Sequence, residues 1–271
     1  MLTGLFRKTK TPPWEIPPLP GEDAAALKER RRQAYFDDQL ENNLEWFKRM
    51  DFQIDVRGMR VLDLGCGHGA LSIGFAERGA SEVVGLDLDS DRIDFAQRIL
   101  KRDFKGLDTT VSFRCEDVMN LTDQFDLIVS KDAFEHIDDL AGVVQHLHGL
   151  LKPGGYLAPG FSPLYFSPFG DHARFELSVP WAHAVLPERT LIWWLNQRTG
   201  KTARDSMDLG LNRMTPCDFR QIFSGPEWED VAIHYNRGDN KLFPVFNALR
   251  TLSPIEKFFT TSIYAVAKKA R

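Results

Sequence analysis

The alternation of short apolar segments with longer amphipathic ones, between residues 59 and 161, most constrains the fold of this chain. The apolar segments have strand length, and most are followed by a segment whose apolar residues recur at helical spacing. Strands joined through helices need crossover connections, which produce a parallel sheet covered by helices on both faces. The predicted strands are 59–65, 81–89, 110–117, 125–130 and 156–161, and the predicted helices between them are 70–79, 90–102 and 140–151.

Outside this region the chain divides by composition. Proline recurs near the N-terminus and predicts an extended arm, because proline lacks a backbone donor and biases its predecessor towards extended conformations. The long connection after the fifth strand is rich in proline and aromatic residues, and connections of that length are usually functional. The predicted units are an arm at 1–21, N-terminal helices with the sheet core at 22–161, an inserted lid at 162–215 with one helix at 187–199, and 216–271, which completes the sheet with strands at 229–236 and 261–269.

Several element boundaries have local signals. Ser90 is the predicted N-cap of its helix, and Gly79 is a predicted helix end because glycine adopts positive φ at little cost. The "KPGG" at 152–155 predicts a turn before the fifth strand. Thr215 and Asp218 have the spacing of a capping box.

Composition limits the function. The net charge is −4 and the basic residues are mostly scattered, which argues against a nucleic-acid partner. The three cysteines lie far apart, without C-x-x-C spacing, and predict a reducing compartment rather than a structural zinc site. With no signal-peptide pattern and no window near the ~18 apolar residues of a membrane span, the expectation is a cytoplasmic protein without stable membrane insertion. The sequence leaves the oligomeric state open.

A glycine loop follows the first strand. Gly65, Gly67 and Ala70 satisfy the G-x-G-x-x-G/A spacing associated with dinucleotides, although tight strand-to-helix turns favour glycine in any case. Asp63 precedes this loop, and Asp87 ends the next strand. Ligands of open parallel sheets bind at the carboxyl ends of the strands, where both acids are predicted to lie.

The two acids favour different ligands. Asp87 suits a nicotinamide cofactor, because an acid about 20 residues after the first glycine can bind ribose hydroxyls. Asp63 does not, since its carboxylate would repel a pyrophosphate by several kcal/mol at an effective dielectric of about 20. A ligand with a cationic amine and no phosphate, such as S-adenosylmethionine, fits both acids.

Five segments together resemble the successive motifs of class I S-adenosylmethionine-dependent methyltransferases, in order and at the usual spacing. They are "VLDLGCGHGALSIGFAERG", "VVGLDLD", "CEDV", "FDLIVSKDAFEHI" and "LLKPGGYL", within residues 59–161. The resemblance implies an α/β Rossmann-like fold with a mostly parallel seven-stranded sheet, helices on both faces, an N-terminal helical segment and a helical and aromatic lid after strand 5. It also implies S-adenosyl-L-methionine as cofactor and S-adenosyl-L-homocysteine as product.

The resemblance further implies which residues contact the cofactor. Most of them lie at the carboxyl ends of the first four strands. They are Asp63 at the ammonium group, Gly65, Cys66 and Gly67 along the methionine part, Asp87 at the ribose, Leu88, Asp117 and Val118 around the adenine, and Ser130 or Lys131 on the methyl-transfer side.

Methyl transfer needs alignment and, for a hydroxyl acceptor, a general base, but no metal. Histidine is the commonest base near neutral pH. The candidate bases are His172, at the start of the lid, and His136, after the fourth strand; His183 is a third candidate.

The acceptor is predicted from the lid. An enclosed aromatic lid with histidines suits a small hydroxylated molecule, such as a sugar or a natural-product intermediate, and the lid resembles those of bacterial methyltransferases of such pathways. Aromatic and basic residues at 241–264 suggest, as a second acceptor class, a lipid or quinone at a membrane surface. An NAD-dependent oxidoreductase and a scaffold that binds without catalysing are two further functions that the sequence leaves open.

Overall fold

A seven-stranded sheet forms the centre of the protein in a computed structural model that describes residues 12–271. The strand order is β3-β2-β1-β4-β5-β7-β6, with parallel pairing from β3 through β5 and antiparallel pairing of β7 with both β5 and β6. The predicted α/β fold with a mostly parallel seven-stranded sheet is confirmed. The strands are β1 Arg60–Leu64, β2 Glu82–Asp87, β3 Val111–Cys115, β4 Phe125–Lys131, β5 Leu151–Phe161, β6 Trp228–Tyr235 and β7 Ile263–Lys269.

Helices cover both faces of the sheet. Successive residues of β1 point to opposite faces, so that Val61 belongs to the apolar core under α1, α2 and α3, and Leu62 to the core under α4 and α7. The helices are α1 Ala24–Met50, α2 Ala70–Glu77, α3 Ser90–Asp103, α4 Leu140–Leu150, α5 Ala182–Val185, α6 Glu188–Thr199, α7 Pro216–Ile222 and α8 Phe243–Leu249, with short 3₁₀ turns at Pro13–Glu15, Val118–Asn120, Phe134–His136 and Glu256–Phe258.

Two of the predicted boundary signals act differently in the structure. The cap of α3 is Asp89, whose side chain accepts a hydrogen bond from the backbone N–H of Arg92, and Ser90 is the first helical residue. The "KPGG" at 152–155 lies inside β5, where the pairing with β4 shifts register. The strand therefore begins before the predicted turn, and an irregularity between the pairs Phe125–Leu151 and Leu127–Tyr156 takes the place of that turn.

The capping box and the helix end at Gly79 are confirmed. Thr215 and Asp218 form a reciprocal capping box at the start of α7. Gly79 has a φ of +92° and follows Arg78, the C-cap of α2, which is the left-handed geometry expected of a glycine there.

The segment 162–215 contains two helices rather than the one predicted, since α5 precedes α6. It packs against the segment between β6 and β7. The Trp181 ring lies 6.1 Å from that of Phe246, and its indole N–H donates to the Phe258 carbonyl oxygen at 2.8 Å. The aromatic side chains that suggested a membrane surface are therefore largely engaged with the lid. No helix within residues 12–271 combines the length and apolar character needed to cross a bilayer.

The proline-rich arm is described only from residue 12 onwards, and the rest of the predicted arm lies outside the described residues. The described part lies along α1. The guanidinium of Arg31 donates to the Ile16 carbonyl oxygen at 2.7 and 2.9 Å, and that of Arg30 donates to the Pro17 carbonyl oxygen at 2.8 Å. These bonds fasten the extended segment to the first helix.

Candidate cofactor and acceptor site

A cavity of about 270 Å³ opens at the carboxyl end of β1. It lies between the glycine loop, the end of β4 and one side of α1, where ligands of open parallel sheets bind. Its walls are Tyr35, Gln39, Asp63, Gly65, Cys66, Gly67, His68, Ala70, Leu71, Arg92, Lys131 and Asp132.

The glycine loop brings bare backbone to this cavity. Gly65 and Gly67 have φ of +73° and +54°, a region that side-chain-bearing residues seldom adopt. A Cβ on Gly65 would lie 2.6 Å from the Cβ of Ala133, so no side chain fits there. Glycine at position 65 is thus required by both the turn and the neighbouring loop.

Three consecutive backbone amides of the loop already donate within the protein. Those of Gly65 and Cys66 donate to the Leu86 carbonyl oxygen at 2.8 and 2.9 Å. The Gly67 amide donates to Oδ2 of Asp87 at 2.9 Å. A pyrophosphate in a glycine loop is held by such amides, so their use here removes donors that a dinucleotide would need.

Asp63 places a buried carboxyl group beside the cavity. Its side chain is 1% exposed, and it accepts a hydrogen bond of 2.6 Å from the Ser72 hydroxyl. Burial raises the pKa of Asp63 to about 6, although the Ser72 bond and the Lys131 charge oppose the shift. A cationic group bound in the cavity would stabilise the ionised form, and an anionic group would be repelled.

The ends of β2 and β3 carry the residues expected to contact a ribose and an adenine. Asp87 accepts from the Asp89 amide at 2.9 Å as well as from the loop, and Nη1 of Arg92 lies 3.9 Å from its Oδ2. Leu88, the residue after β2, is 73% exposed, which leaves its surface available for an aromatic ring.

Asp117 and Val118 follow β3. Asp117 is exposed and accepts a hydrogen bond of 2.9 Å from the Met119 amide, which caps a 3₁₀ turn. Val118 is buried beneath it. The pairing of Asp87 with Cys115 places these residues at the same edge of the sheet as Leu88.

Ser130 is expected at the cavity, but the structure buries it. Its hydroxyl donates to the Leu64 carbonyl oxygen at 3.0 Å, between β4 and β1. Lys131, the next residue, contributes to the cavity wall and places its ammonium group 3.5 Å from Oδ1 of Asn43.

Seven wall residues were not among the predicted contacts: Tyr35, Gln39, His68, Ala70, Leu71, Arg92 and Asp132. The His68 ring lies 5.1 Å from that of Tyr35 and 5.0 Å from that of Phe95, and neither ring nitrogen has a hydrogen-bond partner. Burial lowers the pKa of His68 to about 4, so the ring is neutral near pH 7. The sequence predicted that this region of α1 is helical. It did not predict which face of the helix would line the cavity.

The two candidate bases lie together. The ring centroids of His136 and His172 are 5.0 Å apart. Nδ1 of His136 is 2.6 Å from the Gly210 carbonyl oxygen, and Nε2 of His172 is 2.9 Å from that of Pro163. Since a carbonyl oxygen only accepts, these nitrogens carry protons, and in the neutral form of an imidazole the other nitrogen keeps a lone pair. Burial lowers the pKa of His172 to about 4, which keeps it neutral.

Glu135 lies beside these two histidines, and it was not predicted from the sequence as a site residue. Its side chain is 4% exposed, and neither carboxylate oxygen has a hydrogen-bond partner. Burial raises its pKa well above the usual range, and the charge of Asp132 adds to the shift. One donor atom of Glu135, one of His136 and one of His172 all lie within 4.8 Å of one another.

His183 stands apart from this pair. It is buried inside the lid, with Nδ1 3.9 Å from Oδ1 of Asp171 and Nε2 bonded to the Tyr165 carbonyl oxygen. Burial lowers its pKa. These bonds fasten α5 to the start of the lid, which is a structural role.

Comparison with known proteins agrees with this geometry. A methyltransferase-domain family matches residues 55–160. A ubiquinone biosynthesis O-methyltransferase of Coxiella burnetii is 34% identical over 113 residues, 41% of this chain and 46% of that protein. The enzyme of that name from Neisseria meningitidis serogroup C is 33% identical over 167 residues, 60% of this chain and 68% of that protein. Against the first of these, the chain spans about half the length of the relative.

Comparison with solved structures also supports a methyltransferase fold. An S-adenosylmethionine-dependent methyltransferase from Mesorhizobium loti superposes with a TM-score of 0.51 at 23% identity, covering 85% of this chain and 100% of that chain. At that identity the likeness concerns the fold. Fold, family match and relatives together show that this chain belongs to the class I S-adenosylmethionine-dependent methyltransferases.

Proposed function

We propose that the protein transfers a methyl group from S-adenosylmethionine to a hydroxyl of a small acceptor. The observation that carries the proposal is Asp63, a buried carboxyl group in the wall of the cavity, beside a glycine loop in which the amides of Gly65, Cys66 and Gly67 already donate within the protein. This arrangement suits a ligand with an ammonium group and no phosphate near the loop. It disfavours a nicotinamide cofactor, whose pyrophosphate the same amides would have to hold.

The residues of the chain fit the cofactor part by part. Asp63 would hold the ammonium group, and the loop at Gly65 and Gly67 lets backbone approach the methionine part. Asp87 would accept hydrogen bonds from the ribose hydroxyls, and Leu88 would cover one face of the adenine. When bound, S-adenosylmethionine supplies an electrophilic methyl group, so the protein chiefly supplies alignment and a dry site.

Methyl transfer to a hydroxyl releases the hydroxyl proton, which a general base must accept. His136 and His172 each present one ring nitrogen with a lone pair, Nε2 and Nδ1 respectively, because the other nitrogen donates to a carbonyl oxygen. Either nitrogen can accept the hydroxyl proton. His136 lies in the 3₁₀ turn after β4, and His172 lies in the lid after β5; neither belongs to the cavity wall itself.

The acceptor we propose is an aromatic molecule with neighbouring hydroxyl groups, of the quinol type. The names of the relatives from Coxiella burnetii and Neisseria meningitidis support this class over a sugar. The net charge of −4, with mostly scattered basic residues, also argues against a nucleic acid as the acceptor.

The test measures S-adenosylhomocysteine released from S-adenosylmethionine with three acceptors: a catechol with an apolar tail, the matching monomethyl ether and a simple sugar. We expect turnover with the catechol and little with the sugar. Turnover with the sugar alone would overturn the acceptor class. Binding of S-adenosylhomocysteine without turnover on any acceptor would favour a scaffold that binds without catalysing.

A further inference from the structure

The cavity wall holds a buried acid and a lysine on neighbouring strands. Asp63 pairs with Val129 in the parallel register of β1 and β4, and Lys131 ends β4 two residues later. Because side chains alternate along a strand, Asp63, Val129 and Lys131 point to the same face of the sheet. We propose that Lys131 binds the α-carboxylate of the cofactor, opposite Asp63 at its ammonium group, and that Asn43 positions Lys131.

A carboxylate near the glycine loop needs a positive partner. The buried carboxyl group of Asp63 would repel it, and the backbone amides of residues 65–67 already donate within the protein. Moving a carboxylate out of water is costly unless a cation or hydrogen-bond donors compensate it. The counter-charge for the cofactor carboxylate therefore has to come from another part of the wall.

Among the described residues, two cationic side chains belong to this wall, Arg92 and Lys131. The guanidinium of Arg92 is engaged at the ribose side, 3.3 Å from Oδ2 of Asp89 and 3.9 Å from Oδ2 of Asp87. Lys131 lies on the side of Asp63, and its charge opposes the rise that burial imposes on the pKa of Asp63. The ammonium group of Lys131 is thus close to the acid with which it would share the ligand.

Asn43 holds this ammonium group from the side of α1. Its side chain is 5% exposed, and Nδ2 donates to the Ala70 carbonyl oxygen at 2.8 Å. Since a carbonyl oxygen only accepts, this bond turns Oδ1 of Asn43 towards Lys131, whose Nζ lies 3.5 Å away. A Cβ on Gly74 would lie 2.8 Å from Nδ2, so α2 packs tightly against the amide and limits its rotation.

Gln39 adds a donor to the same part of the wall. It lies one helical turn before Asn43 on α1, and residues four apart share a helix face. Its amide hydrogens can donate to a carboxylate oxygen. Lys131 would then act at the amino-acid end of the cofactor rather than at the methyl group. A ligand with an ammonium group alone would leave two cations facing each other.

The role of Lys131 rests on the proposed function, because it concerns the amino-acid group of S-adenosylmethionine and of its product. The experiment compares two ligands of the full chain by calorimetry. S-adenosylhomocysteine carries the ammonium group and the carboxylate. Its decarboxylated analogue, adenosine with a 3-aminopropylthio group at the 5′ carbon, keeps the ammonium group alone.

Three lysine variants test the charge. Lys131→Met removes the positive charge and keeps most of the side-chain length, whereas Lys131→Arg keeps the charge. Lys105→Met is the matched control, because Lys105 is exposed after α3 and lies outside the cavity wall.

We expect the unaltered protein to prefer S-adenosylhomocysteine over the analogue. Lys131→Met should weaken S-adenosylhomocysteine binding by roughly 10- to 100-fold, since a charged partner of the carboxylate is lost. It should leave the analogue bound equally or more tightly, which also shows that the variant folds. Lys131→Arg should keep most of the preference, and Lys105→Met all of it. Equal weakening of both ligands in Lys131→Met would overturn the proposal.

Asn43→Ala tests the positioning role. It should lower the preference for S-adenosylhomocysteine over the analogue, by less than Lys131→Met does, whereas a purely structural role would weaken both ligands alike. Asn42→Ala is the control, because the amide of this neighbouring residue donates to the Asp38 carbonyl oxygen instead. An unchanged preference in Asn43→Ala would overturn the positioning role.

The same titrations separate this proposal from the proposed function. If Lys131→Met binds S-adenosylhomocysteine as tightly as the unaltered protein does, the carboxylate role is overturned and the methyltransferase proposal stands. If the unaltered protein binds neither ligand at millimolar concentration, the proposed function itself is overturned.

Discussion

The cofactor side and the lid side of the cleft are built in different ways. On the cofactor side, Asp63, Gly67 and Asp87 come from one strand, its loop and the next strand, and they are bonded to near neighbours in the fold. On the lid side, Glu135 and His172 are brought together from two loops by contacts of the whole segment 162–215. Local motifs specify the first region, whereas only the packed tertiary structure specifies the second.

The largest expected effects come from two glycines, one in each region. A Cβ on Gly170 would overlap the carbonyl oxygens of Leu164 and Tyr165, so Gly170→Ala should cost more than about 3 kcal/mol of stability and loosen the lid.

The Cβ added by Gly65→Ala would collide with the Cβ of Ala133, and the residue would also have to adopt a positive φ. This substitution should instead abolish cofactor binding. Limited proteolysis of the lid and S-adenosylhomocysteine calorimetry measure the two effects.

The matched control is Gly149→Ala, an exposed position in α4 where an added Cβ meets no atom within 4 Å. It should leave both readouts unchanged and stabilise the helix by up to about 1 kcal/mol. Equal loss of cofactor binding in Gly170→Ala and Gly65→Ala would contradict the separation of the two regions.

The next largest effect concerns turnover. His172→Ala should lower kcat by roughly 10²- to 10³-fold, because it removes a base at the acceptor side, and should leave S-adenosylhomocysteine affinity within about twofold. Steady-state kinetics and calorimetry give the two numbers. His234→Ala serves as the control. An unchanged kcat in His172→Ala would exclude this histidine as the base and leave His136 as the candidate.

A smaller effect is expected at the ribose. Asp87→Ala should weaken S-adenosylhomocysteine binding by roughly 1–3 kcal/mol, since it removes a charged acceptor and also a partner of the Gly67 amide. Asp87→Asn keeps the shape and one acceptor oxygen, and it should weaken binding less. Identical affinities of Asp87→Ala and the unaltered protein would show that the ribose lies elsewhere.

The sequence predicted best those features that depend on residues close together in the chain. The seven strands, the capping box at Thr215 and the positions of Asp63 and Asp87 at strand ends follow from periodicity and from residue types that short-range chemistry requires. Asp89 caps α3 instead of Ser90, since both residues are able caps and only the backbone geometry selects between them.

Some features of the site could not be predicted, for physical reasons. The sequence gives no sign that Glu135 is buried without a partner, because that depends on how the lid covers the end of β4. The part of α1 that lines the cavity, including Tyr35, depends on how the helix packs on the sheet. Ser130 looked suited to the cavity, yet its hydroxyl bonds to a neighbouring strand.

The smallest expected effect is at the adenine. Leu88→Ala should weaken S-adenosylhomocysteine binding by about 1 kcal/mol or less through lost apolar contact. Because Leu88 is 73% exposed in the free protein, the melting temperature should stay the same. A drop in melting temperature without a change in affinity would show that the side chain is structural.

The central claim is that Asp63 serves a cationic ligand, and the pH dependence of S-adenosylhomocysteine affinity tests it. Burial holds the pKa of Asp63 at about 6, so free protein is partly protonated in mildly acidic solution. The raised pKa also means that the stability contribution of the protonated form is lost as pH rises through that value. The ligand ammonium favours the ionised carboxylate.

Calorimetric titration with S-adenosylhomocysteine from about pH 5 to about pH 7 is therefore the most direct measurement. We predict saturable binding that tightens as pH rises through the pKa of Asp63, and a much flatter profile in Asp63→Asn. Absence of binding at millimolar ligand would contradict the claim. Tight binding of NADH in its place would contradict it as well.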